Sequence, residues 1–135
     1  LASPAARFLL VTSPLGEAVD EALFFHERLR ELELPFGGYV INRIHPLRPP
    51  LDEGALMRLR AALAETLGEA RSESAVDHLS AWYEVERERA LADRRALERL
   101  QGIGRVPTIG IPLLEEEAAD ERILRRMVET AFVLE

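Results

Sequence analysis

Arg7-Phe8-Leu9-Leu10-Val11-Thr12-Ser13-Pro14-Leu15-Gly16 is the stretch on which the fold turns. Its first half is apolar and β-favouring without alternation. Ser13-Pro14-Leu15-Gly16 then breaks the run, and a helical pattern follows from about Glu17 to Leu32. An apolar strand, a turn and a helix in that order read as a buried parallel strand feeding a crossover. The acidic residues Glu17, Asp20 and Glu21 suit the positive end of the helix. Val19, Leu23, Phe24 and Leu32 recur at helical spacing, with His26, Glu27, Arg28, Arg30 and Glu31 on the wet side.

Pro35 and Gly37-Gly38 end that unit, and Tyr39-Val40-Ile41 is the second strand, starting at Phe36 or Gly38 and closing at Asn42-Arg43. The strand–helix–strand order predicts two parallel strands with a right-handed crossover. After the rigid loop His45-Pro46-Leu47-Arg48-Pro49-Pro50 come two helices. The first spans Asp52 to Leu67 with Leu56, Leu59, Leu63 and Leu67 as its stripe, and Gly68 stops it. The second starts near Ser74 and reaches about Leu100, with Val76, Leu79, Tyr83, Ala90, Leu97 and Leu100 apolar. Together they read as a helical hairpin over residues 51–101, inserted before the last strand. Val106 to Ile111 is the third strand, and Asp120 to about Val133 a closing helix with Ile123, Leu124, Met127, Val128 and Phe132 inward. The expectation is one α/β domain over residues 1–135: a partial parallel sheet of about three strands with flanking helices. Three parallel strands are few for such a sheet, and the start at Leu1 rather than Met agrees with a piece of a longer protein.

Composition narrows the function. A chain of 135 residues, 47% apolar and 30% charged, has the balance of a folded domain. No apolar run approaches the roughly 20 residues of a membrane span. There is no Cys, and all 17 basic residues are Arg. Without Lys, a complete phosphate loop ending in Lys-Ser/Thr and a Schiff-base lysine are excluded. Net charge is −7, and the nearest candidate for a basic patch, Arg87, Arg89, Arg94, Arg95 and Arg99, is interleaved with Glu84, Glu86, Glu88, Asp93 and Glu98. Mixed signs at that density read as a solvated helix face, not a nucleic-acid patch.

Ligands of open α/β sheets bind beyond the carboxyl ends of the strands. Those ends carry Thr12-Ser13-Pro14, Asn42-Arg43-Ile44-His45 and Pro112-Leu113-Leu114-Glu115. Asn42, the only Asn, has two readings: a turn residue bonding its own backbone, which spacing alone favours, or a base reader. A carboxamide presents a donor and an acceptor side by side, matching the N6 and N7 edge of adenine. Pro112 is either a strand terminator or a flat apolar wall for a base. His26 and His78 read as helix surface, and His45 as a polar loop residue. No histidine has a helix-spaced metal partner, and Ser13 lacks a nucleophile elbow. Glu115 to Glu117 reads as a solvated helix start or, alternatively, a lining for Mg²⁺. No residue is assigned a catalytic or metal-binding role.

The order of motifs carries more than any one of them. Phe8-Leu9-Leu10-Val11-Thr12-Ser13-Pro14 is followed by a helix with Asp20-Glu21, by Pro35, by Tyr39-Val40-Ile41-Asn42-Arg43, by a helical stretch, and by Ile111-Pro112-Leu113-Leu114-Glu115. This order resembles the C-terminal part of the anion-transporting ATPases of the ArsA type, the arsenite-pump family that includes the tail-anchored-protein targeting ATPases. The family's segments read F-V-x-V-T-x-P…D-E, V-V-N-R/Q and P-L-L-x-x-E. The resemblance covers nearly the whole chain, the middle helices matching only in length and position.

The resemblance implies the C-terminal part of a P-loop NTPase domain. Asn42, with Arg43 beside it, would match the adenine-reading position, and Pro112 and Leu113 the loop closing over the ring. It implies ATP and Mg²⁺ in the full-length parent, the N-terminal half of the same ATPase as partner, a homodimer, a possible protein cargo and a cytoplasmic location. The phosphate loop, the switch aspartate and the Mg²⁺-binding hydroxyl belong to the family's N-terminal half. None is here, so the chain alone is expected to be inactive. The C-x-x-C zinc clasp and the arsenite cysteines are absent too, which puts arsenite binding and a zinc-bridged dimer in doubt. The alternative is a non-catalytic α/β interaction module that uses its helical hairpin.

Overall fold

The computed structural model describes residues 6–104, 106–114 and 121–134. They form an α/β fold with a mixed four-stranded sheet and four helices. The chain falls into two compact units: Leu1–Pro46 with Ala92–Glu135, and Leu47–Leu91.

The first unit contains the sheet. In chain order it comprises β1 (Phe8–Thr12), α1 (Gly16–Glu31), β2 (Phe36–Ile44), the last turns of the long helix described below, then a strand Thr108–Pro112, a helix Glu121–Thr130 and a short strand Phe132–Val133. Strand order follows chain order. β1 pairs parallel with β2, and β2 pairs parallel with Thr108–Pro112; the parallel directions are those the sequence predicts, and the adjacency of the last two is set by the structure. Thr12, at the end of β1, donates its hydroxyl to the Ala18 carbonyl at 2.9 Å, which ties the strand to the first turns of α1.

The core lies on one face of this sheet. Val19 and Ala22 of α1 pack with Tyr39, Ile41 and Ile44 of β2 and with Ala96, Leu97 and Leu100. Gly38 lets the strands approach: its φ is +146°, and a Cβ there would lie 2.4 Å from the Pro107 carbonyl oxygen. That carbonyl accepts the Tyr39 N–H at 2.9 Å. The opposite face is different. Register places Val11, Val40, Ile109 and Val133 in one row across all four strands. Val11 and Val133 are 72% and 73% exposed.

The second unit contains α2 (Glu53–Leu67) and the greater part of α3 (Glu69–Gln101). Asp52 caps α2 by accepting the Ala55 N–H at 2.6 Å. Leu56, Leu59 and Leu63 are half-buried, while Leu67 is exposed. The turn is a single residue: Gly68, at φ +80°, donates to the Ala64 carbonyl and α3 starts at once. The sequence placed that start near Ser74. It comes five residues earlier because a left-handed glycine reverses the chain without a loop. Ser72, Val76 and Ala90 are buried, and the Tyr83 hydroxyl donates to the Pro49 carbonyl at 2.7 Å.

We name the remaining elements β3 (Thr108–Pro112), α4 (Glu121–Thr130) and β4 (Phe132–Val133). β4 corrects the three-strand parallel reading. The closing helix ends at Thr130, and Phe132-Val133 pairs antiparallel with β3, with the Leu134 N–H on the Thr108 carbonyl at 3.0 Å. The hairpin therefore precedes the last parallel strand but not the last strand. The physical reason lies in Gly110. Phe132 sits opposite it, with ring atoms 2.7 and 2.9 Å from where a Cβ would be, so the missing side chain makes room for the ring. Two β-favouring residues then gain more by pairing than by another helical turn. Leu124, Val128 and Phe132, read as inward, are exposed, as are Phe24 of α1 and Leu32 just past its end. The reading of Asp120 as helix start lies outside the described residues. Among the described residues no helix is long and apolar enough to cross a membrane.

Candidate functional site

The carboxyl ends of β2 and β3 meet in one place. Ile41 pairs with Gly110 and Ile44 with Pro112, so β2 spends one residue more than β3 over the same span. The extra residue makes a bulge, a device that bends a strand and re-aims side chains beside binding sites. Arg43 takes up the distortion in the left-handed region at φ 65°. Asn42 Oδ1 accepts the Arg43 N–H at 2.8 Å. This is the local turn bond that spacing favoured. It occupies one of two lone pairs on that oxygen, so donor and acceptor capacity remain for a ligand.

Pro112 and Leu113 stand beside this bulge. Pro112 is half-buried, and the Leu113 N–H donates to the Ile44 carbonyl at 2.8 Å. The structure therefore brings Asn42, Arg43, Pro112 and Leu113 to the carboxyl edge of two adjacent strands. At the matching end of β1, an open hollow of about 440 Å³ is lined by Leu15, Gly16, Glu17, Ala18 and Glu21. Two carboxylates on that helix start oppose an anionic ligand. The Glu115 to Glu117 run, and with it the Mg²⁺ reading, lies outside the described residues. Among the described residues no three His, Asp or Glu side chains gather as a metal site.

Two histidines depart from the sequence reading. His45 is no simple loop residue: its Nδ1 and its backbone N–H both bond Asp93 Oδ2, at 2.8 and 2.7 Å. Asp93, placed by the sequence on a solvated face, is only 6% exposed. A signal was there. Asp93 stands three residues after Ala90, four before Leu97 and seven before Leu100, so helical spacing sets a carboxylate in an apolar stripe. Its neighbours Arg94, Arg95 and Arg99 are exposed as expected, Arg99 pairing with Asp20.

His26 is the second departure. It packs edge-on to Phe36, with centroids 4.4 Å apart, and its Nδ1 is hydrogen-bonded to the Tyr39 hydroxyl at 2.8 Å. Burial pushes the Tyr39 hydroxyl up to about 12. His78 does lie on the surface, bonded to the Ser74 carbonyl one turn back. Neither pair is fixed by local sequence, because the partners are 13 and 48 residues apart. Compared with known proteins, the chain matches no family model and no curated protein.

Proposed function

We propose that this chain is the C-terminal portion of an ArsA-like ATPase, that it supplies the adenine side of the nucleotide site, and that it does not hydrolyse ATP alone. The observation that carries the reading is the shared edge of β2 and β3. A carboxamide on a bulge and a proline–leucine strand end stand on adjacent parallel strands, beyond whose carboxyl ends such sheets bind nucleotides. The residues present fit the base: Asn42 offers a donor and an acceptor, and Pro112 with Leu113 offers apolar surface. They do not fit the phosphates. The chain has no Lys, and the helix start after β1 is acidic. Triphosphate and metal would be held by the N-terminal half of the parent, so no step of hydrolysis is derived from the residues here.

The row Val11, Val40, Ile109 and Val133, exposed at Val11, Ile109 and Val133, supports that partner. Parallel sheets are covered on both faces, and among the described residues β1 pairs on one side only. A homodimer of the parent, a protein cargo and a cytoplasmic setting belong to the same proposal through the family resemblance. One observation favours the alternative, an interaction module: α3 exposes Leu79, Trp82 and Val85 at helical spacing in the second unit.

Calorimetric titration decides between them. In the full-length parent, Asn42→Ala is expected to weaken ATP binding by about 1–3 kcal/mol, the usual value of a bidentate base contact. GTP should lose less, since the missing pair reads N6 and N7 of adenine. Unchanged ATP affinity in a folded Asn42→Ala protein would retire the adenine reading.

A further inference from the structure

His45 stands one residue beyond β2, and Asp93 reaches it from α3. Asp93 Oδ2 accepts both the His45 backbone N–H and its ring Nδ1–H. A carboxylate only accepts, so the neutral ring is held as the Nδ1–H tautomer. One residue back, the Ile44 carbonyl takes the Leu113 N–H, and Ile44 pairs with Pro112. One and two residues further back lie the left-handed Arg43 and Asn42. A non-glycine residue in that region is unfavourable by itself and persists only where its surroundings hold it. The buried carboxylate grips the chain just past the strain, and the β2–β3 ladder grips it just before.

We propose that Asp93 is a positioning residue. Through His45 it locks the carboxyl end of β2 in the bulged form that presents Asn42, and through Ile44 it fixes Pro112 and Leu113 at the end of β3. The consequence for adenine rests on the function proposed above; the clamp itself does not.

The test is NMR on the ¹⁵N-labelled chain. Asn42 and Gln101 are its only carboxamide side chains, so the Asn42 pair is readily assigned. In Asp93→Ala, the Asn42 pair should move, and amide exchange at His45 and Leu113 should quicken about 10-fold or more, while Tyr39 keeps its protection. Asp93→Asn, which retains an acceptor, should restore most of that protection. The His45 ring should show the Nδ1–H tautomer in wild type and lose it in Asp93→Ala. Should Asp93→Ala fail to fold, His45→Ala keeps the backbone bond and should loosen Leu113 partially. Wild-type exchange and Asn42 shifts in a folded variant would overturn the clamp.

Millimolar AMP and GMP then separate the two ideas. AMP should shift the Asn42 pair more than GMP does, and Asp93→Ala should reduce that response. An equal response in wild type and Asp93→Ala overturns the positioning role. No wild-type response, with the exchange effect intact, overturns the adenine reading and leaves the clamp standing.

Discussion

Tyr39 shows how burial turns one hydroxyl into a pH dependence. It is 1% exposed, bonded to His26 and packed edge-on to Phe36. Its pKa rises from 10 to about 12 because burial disfavours the phenolate. The folded state thus holds the proton more tightly than the unfolded chain. Its contribution is fully present below pH 10 and is lost as pH climbs from 10 through 12. Urea midpoints should fall between pH 9 and pH 11.5 in wild type and fall less in Tyr39→Phe. The same drop in both proteins would refute it. Tyr39 was legible as a strand residue, and Asn42 as a polar residue at a strand end. The partners of Tyr39 and His45 were not, because a hydrogen bond to a residue far along the chain depends on which elements stack.

At the scale of elements, strands and helices followed from local chemistry wherever turn residues punctuated apolar runs. Ser13-Pro14, Gly37-Gly38 and Gly68 each mark a boundary that the structure keeps to within a residue or two. β4 was hidden because two residues leave no periodicity, and only Gly110 across the ladder gives Phe132 a place. Gly38 is the sharper case. Its positive φ and the Pro107 carbonyl both exclude a side chain. Gly38→Ala should therefore destabilise by about 1–3 kcal/mol, the cost of strained backbone, read as a lower urea midpoint. A change within about 0.5 kcal/mol would mean that the β2–β3 approach tolerates a methyl group.

For the whole molecule the uncovered sheet face dominates. Val11 and Val133 lie in its row and touch no core, so replacing both with Lys should leave the thermal melt nearly unchanged, within about 0.5 kcal/mol per site. Binding of a hydrophobic dye by the wild-type chain should fall in that variant. A large loss of stability would mean that the face is covered from within the chain. The isolated chain should also show no ATP turnover above background at any Mg²⁺ concentration, because it has no Lys and no glycine-rich phosphate loop. Turnover that survives rigorous purification would overturn the proposed division of labour. What the sequence by itself determined was the α/β class, three parallel strands in one sheet and which residues stand at their carboxyl ends. Those follow from local periodicity, turn chemistry and the handedness of crossovers. Only the tertiary structure decided the bulge at Asn42-Arg43, the burial of Asp93 against His45, the fourth strand and the bare face. Each depends on register or on burial, which are properties of paired elements and are written in no single segment.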